Sequence, residues 1–170
     1  MATVKFKGTP KNLIGTSLKA GDAAPDFECL SGSLEVIKLG NTPGKARLFS
    51  VVPSLDTPVC STQTKKFNDQ LAGLKDKVAS YTISLDLPFA QKRFCETEKI
   101  VNIQNLSDVY NQSFGKNYGV LLDGLPLKLL ARAIFVIDKN NKIAYCEYVP
   151  EVTTEPDYDK ALAALKAAAG

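Results

Sequence analysis

The sequence has no histidine, no tryptophan and a single methionine. The missing histidine excludes a good deal of chemistry. No Ser-His or Cys-His pair can form, no imidazole can serve as a general base, and no histidine can hold zinc or haem iron. Arginine is scarce too: Arg47, Arg93 and Arg132 stand against 18 lysines. The cysteines are Cys29, Cys60, Cys95 and Cys146. None forms a C-x-x-C pair, so neither a zinc module nor a thioredoxin-type dithiol is signalled. No apolar run approaches the roughly 18 residues of a membrane-spanning helix, and residues 1–10 lack the apolar stretch of a signal peptide. The expectation is a cytoplasmic protein with no membrane attachment and no bound metal.

What is present fits one soluble domain over residues 1–170. Hydrophobic residues make up 45% and charged residues 23%, with a formal net charge of +3. The lysines are scattered rather than massed, so the basic excess does not point to nucleic acid. A chain of this length buries a core large enough to fold without staples. Four widely spaced cysteines in an intracellular chain are most often inert buried thiols, the default reading for each.

Val4 and Phe6 alternate with lysines before Gly8-Thr9-Pro10, which suggests an N-terminal hairpin turning there. Short strands are expected at Phe27–Leu30 and Leu34–Leu39, with a turn over Asn41–Lys45. Arg47–Val52 and Val78–Leu85 read as buried strands. Between them Asp56-Thr57-Pro58 opens a helix that puts Cys60, Phe67, Leu71 and Leu74 on one face. Pro88–Lys99 reads as a helix carrying Cys95, and Ser107–Phe114 as another. Ala133–Asp138 and Lys142–Tyr148 form a hairpin through Asn140-Asn141. Asp157–Ala169 is a C-terminal helix. This order gives an α/β, thioredoxin-like plan with an N-terminal β-hairpin extension.

Cys60 stands out by position. Thr57 precedes proline and is pushed towards extended backbone, so it can be the N-cap with Pro58 as the first helical residue. Cys60 is then the third, in a turn whose N–H groups have no helical acceptor and favour an anion. A thiolate is the reactive form of any cysteine. Thiolate fraction alone is a weak lever. For a free thiol, a drop of two pKa units gains about 25-fold in thiolate but loses about eightfold in nucleophilicity, if the slope for disulfide exchange applies. Efficient attack on an O–O bond therefore needs donors that stabilise the developing charge. Thr57 offers a hydroxyl. Arg132, opening an otherwise apolar strand, offers a planar fork of donors; its plain alternative is a surface ion pair.

Pro53-x-x-x-Thr57-x-x-Cys60 matches the active-site motif of the peroxiredoxins. Pro53–Asn68, Leu87–Cys95 (LPFAQKRFC), Ala131–Asp138 and Val152–Tyr158 resemble the atypical two-cysteine subfamily, the bacterial thiol peroxidases, and the likeness covers nearly the whole chain. The resemblance implies a peroxiredoxin-type fold and a thiol-dependent peroxidase without a bound cofactor. It makes Cys60 the peroxidatic cysteine, shielded by Pro53, with Thr57 and Arg132 orienting peroxide and thiolate. It makes Cys95 the resolving cysteine, forming an intramolecular disulfide with Cys60 that a thioredoxin-type reductant reopens. It also implies a homodimer and a leaning towards organic hydroperoxides. Without it, Cys95 reads as an ordinary buried thiol. Cys29 and Cys146, in β-type runs, are read as structural. Asp86 could hold a helix N-terminus. A disulfide isomerase and a non-enzymatic redox sensor are the competing functions; the missing C-x-x-C argues against the first, and slow turnover would mark the second.

Overall fold

A computed structural model of the protein describes residues 2–170. The chain opens with a hairpin of β1 (Thr3–Phe6) and β2 (Thr9–Ile14). Lys7 and Gly8 both take positive φ, 51° and 80°, as a two-residue turn matched to strand twist requires. The turn is thus Lys7-Gly8, and Pro10 lies inside β2 opposite Lys5. β3 (Cys29–Leu30) and β4 (Val36–Ile37) are shorter than expected, since Leu34 turns the chain with φ 64°. Then come β5 (Ala46–Val51), α1 (Pro58–Gln70), β6 (Val78–Ser84), α2 (Pro88–Glu98) and β7 (Gln104–Ser107). A five-residue helix α3 (Ser113–Asn117), β8 (Leu121–Leu122), β9 (Ala133–Ile137), β10 (Ile143–Tyr148) and α4 (Tyr158–Ala169) complete it.

One expected helix fails. Ser107–Phe114 is not helical as a unit: Ser107 ends β7, and the helix starts only at Ser113. The polar Asn105 and Ser107 hide this strand from a periodicity reading, yet both are buried by hydrogen bonds. Asp108 sets the new start, because its carboxylate accepts the N–H groups of Phe114 (3.0 Å) and Gly115 (2.8 Å). Cys29 faces the same carboxylate at 3.7 Å. Burial pushes the Cys29 thiol far up, with the Asp108 charge adding to it. Burial also raises Asp108 to about 6, against the pull of the two N–H groups.

Among the described residues the main sheet has the order β10-β9-β5-β6-β7-β3-β4, and β1-β2-β8 forms a second. Alternation along β5 serves both faces. Leu48 packs with Phe67, Leu71, Ala161 and Leu165 beneath α1 and α4. Phe49 and Val51 join Phe27, Phe114, Tyr118 and Phe135 on the other side. Phe114 and Tyr118 stack at 4.1 Å, and Phe27 meets Phe49 edge-on at 5.6 Å. Phe49→Ala would cost about 3–5 kcal/mol, as for other buried aromatics.

Strand direction brings the functional residues together. β5 and β9 are antiparallel with Val51 opposite Ala133. The end of β5 and the start of β9 therefore share one sheet edge, and Arg132 meets the loop that leaves β5. β6 is parallel to β5, with Ile83 opposite Val51, so Asp86 arrives at that edge as well. The N-terminal hairpin is fastened to it through Lys5, whose N–H donates to the Pro150 carbonyl (2.7 Å) and whose carbonyl accepts from Val152 (2.8 Å).

Candidate active site

The loop from Pro53 to Thr57 is held from below. Asp86 accepts the Ser54 hydroxyl (2.7 Å), the Leu55 N–H (2.8 Å) and the Ser84 hydroxyl (2.8 Å). Asp86 thus anchors the segment leading into α1; it does not cap α2. The Ser54 carbonyl accepts the Thr57 hydroxyl at 2.9 Å. Thr57 occupies the N-cap with extended backbone and Pro58 follows at the first helical position, but the Thr57 side chain makes no cap bond. The first helical bond runs from the Ser61 N–H to the Thr57 carbonyl, 3.0 Å. The N–H groups of Val59 and Cys60 precede it, so the open cap leaves both without a helical acceptor. With its proton committed to Ser54, the Thr57 oxygen is free to accept.

Cys60 is fully buried, packed with Val52, Leu55 and Phe94. Arg132 is 2% exposed and uses three donors: Nε to the Val152 carbonyl (2.7 Å), Nη1 to Gln63 Oε1 (2.9 Å) and Nη2 to Cys60 Sγ (3.4 Å). Gln63 is held in turn, its Nε2 donating to Ser50 Oγ at 2.7 Å. The guanidinium is therefore fixed by two neutral oxygens and aims its remaining fork at sulfur. Among the described residues no carboxylate forms an ion pair with it, although Glu155 feels its charge, so that charge can serve an anion on Cys60. A surface ion pair is not what this arginine makes.

A cavity of about 390 Å³ opens at Arg132, while Cys60 is fully buried and outside its lining. Pro53, Thr57, Pro58, Val59 and Arg132 line it. Phe6, Leu127 and Leu129 add an apolar wall, so the N-terminal hairpin contributes directly. Glu151 clasps that hairpin by accepting the N–H groups of Lys7 (3.1 Å) and Gly8 (2.9 Å). Its carboxyl is held down at about 2, by the Thr153 hydroxyl first and then by these backbone donors.

Pro53, Thr57, Cys60 and Arg132 thus converge. Cys95 does not join them. It is half-buried in α2 and unpaired, and its Sγ accepts from Asn105 Nδ2 at 2.9 Å. Phe94, its neighbour in the chain, packs both against Cys60 and into the cluster that contains Cys95. Burial pushes the Cys95 thiol up to about 11, with Asn105 opposing and Glu96 adding. Cys29 is buried and Cys146 half-buried, both in strands. The sequence reading missed Gln63. Its signal was present: a polar residue three after Cys60 and four before Phe67, on the apolar face of α1.

Comparisons with known proteins agree with this geometry. Residues 19–162 match the Redoxin family. The thiol peroxidase of Halalkalibacterium halodurans is 51% identical over 99% of each chain, and that of Bacillus subtilis 48% over 98% of each. The crystal structure of a peroxiredoxin-like protein from Aquifex aeolicus superposes with a TM-score of 0.91 at 45% identity, covering 98% of this chain and 97% of that one. With likeness running through both fold and sequence, this chain belongs to the redoxin family, among its thiol peroxidases.

Proposed function

We propose that the chain reduces hydroperoxides with Cys60 as the attacking atom, and that residues 1–170 act as one domain. The Cys60 thiolate attacks the distal peroxide oxygen. The O–O bond breaks, the leaving oxygen takes a proton and departs as alcohol or water, and Cys60 becomes a sulfenic acid. Arg132 Nη2 donates towards sulfur and the oxygen that is bonding to it, and the Thr57 oxygen accepts a hydrogen bond from the peroxide O–H. The Val59 and Cys60 N–H groups face developing negative charge at the helix start. Pro53 closes the side of the site and keeps water from the sulfur.

The Cys95 thiolate then attacks the Cys60 sulfur, water leaves, and an intramolecular disulfide forms. A thioredoxin-type dithiol returns two electrons and two protons. Sulfur carries the electrons throughout, so the cycle calls for no metal or organic cofactor. The apolar wall of Phe6, Leu127 and Leu129 favours organic hydroperoxides over hydrogen peroxide. A homodimer in the cytoplasm is the proposed working form.

The observation that carries this reading is the Arg132–Cys60 contact, with the guanidinium locked by Gln63 and Val152. The test is peroxide consumption with thioredoxin, thioredoxin reductase and NADPH, using hydrogen peroxide and cumene hydroperoxide. Cys60→Ser should abolish turnover of both. Robust activity in that variant would overturn the assignment.

A further inference from the structure

The Asn105 side chain lies between the helix that carries Cys95 and the strand beneath it. Nδ2 donates to Cys95 Sγ at 2.9 Å and to the Gln91 carbonyl at 3.2 Å. Since a carbonyl can only accept, the amide orientation is fixed, and the sulfur sits on the acceptor side of its own contact. Gln91 pins the same stretch of α2 through Nε2, to Ser84 Oγ (3.0 Å) and the Leu106 carbonyl (2.9 Å). Two buried oxygens, Asn105 Oδ1 and Gln91 Oε1, have no hydrogen-bond partner among the described residues.

We propose that Asn105 is a positioning residue that latches Cys95 in the peroxide-ready form, and that release of this latch sets how fast Cys95 reaches the oxidised Cys60. The inference rests on the resolving role given to Cys95 above. Cys95 faces Asn105 at the edge of a groove formed with Gly32, Gln91 and Gln104, while Phe94 fills the space against Cys60. To meet the sulfenic acid, Cys95 must leave Asn105. The sulfur contact is therefore made before the step and lost on the way to it, which slows closure of the disulfide. In the closed form burial also keeps Cys95 largely protonated. Opening removes both restraints together. The covalent step is unchanged: Cys60–SOH and Cys95–SH become the disulfide and water, with no outside oxidant.

Asn105→Ala removes the two bonds donated to Cys95 and Gln91, so the closed form is weakened. In single-turnover experiments on the whole protein, Asn105→Ala should form the Cys60–Cys95 disulfide about fivefold faster, a change equal to about 1 kcal/mol. Equilibrium with dithiothreitol should shift towards disulfide by a similar factor, because the oxidised form never had the contact. Oxidation of Cys60 by peroxide should keep its rate. Asn105→Ser, too short to reach the sulfur, should behave alike if the alanine variant folds poorly. Thr82→Ala, opposite Asn105 in the neighbouring strand, should perturb the sheet without changing disulfide formation. Unchanged or slower disulfide formation in both Asn105 variants, with Cys95→Ser still halted at the sulfenic acid, would overturn the latch and leave Cys95 as the resolving residue. Normal thioredoxin-linked turnover in Cys95→Ser would instead remove the resolving role, and the latch with it.

Discussion

Arg132 Nη2 lies 3.4 Å from Cys60 Sγ, and the other two contacts of that guanidinium go to uncharged oxygens. An arginine already neutralised by a carboxylate would have little to offer a second anion. Here the charge is tied up in no ion pair and the geometry is fixed. Arg132→Lys should therefore cost about 100-fold in kcat/KM, in the range seen when a fixed donor to a developing anion is removed. Lysine cannot serve Val152, Gln63 and Cys60 from one nitrogen. A variant within twofold of the parent, for both peroxides, would show that charge alone suffices.

Gln63→Leu keeps the volume of the side chain and removes the brace. Arg132 Nη1 and Ser50 Oγ both lose their partner. Activity should fall about tenfold, the effect of a hydrogen bond to a charged group of about 1.5 kcal/mol, while Cys60 and Arg132 remain in place. Steady-state kinetics with cumene hydroperoxide would measure it. Unaltered kcat/KM would mean that the Val152 carbonyl is enough to hold the guanidinium.

Phe6→Ala takes away part of the apolar wall without touching the sulfur. KM for cumene hydroperoxide should rise about tenfold, as the loss of roughly 1.5 kcal/mol of apolar contact implies. The hydrogen peroxide reaction should be nearly unaffected. Equal losses for both substrates would place Phe6 in the support of Arg132, through the hairpin and Val152, rather than in the wall.

Asp108 gives a pH signature. Its folded-state value of about 6 lies above the value near 3.9 expected when unfolded. A raised value means the folded state prefers the protonated form. The stability this supplies is complete below about pH 3.9 and is lost as pH rises through about 6. Full loss amounts to about 3 kcal/mol at most. Urea melts between pH 4 and 7 should show this decline in the parent protein. Asp108→Asn should be less stable throughout, because an amide cannot accept from both Phe114 and Gly115 and from Cys29, and should lack the decline. An identical slope in the variant would assign the titration to other groups.

Much of this was legible in the sequence. The thioredoxin-like order, the position of Thr57 and Pro58 around the start of α1, and the isolation of Arg132 among lysines all follow from local rules. β7 was not legible, since its strand character comes from pairing with β6 and from side-chain bonds made by Asn105 and Ser107. The anchoring role of Asp86 was misread for a similar reason: its partners, Ser54 and Leu55, are brought close only by the parallel pairing of β5 with β6. Gln63 could have been found, because burying an amide on an apolar helix face demands a partner. The separation of Cys95 from Cys60 by Phe94 depends on how α2 rotates on the sheet, which spacing along the chain does not encode.

The full burial of Cys60 also bears on what becomes of its oxidised form. A sulfenic acid on an open surface is captured by whatever small thiol is most abundant around it. One formed beneath Val52, Leu55 and Phe94 is covered on that side and can be approached by such bystanders only along the path the peroxide takes. In the proposed cycle its fate is then set more by the chain's own movement than by the surrounding thiol concentration. The same enclosure should slow bulky alkylating reagents at Cys60, while at the half-buried Cys95 and Cys146 burial holds the thiols above their ordinary range and slows labelling by a different route.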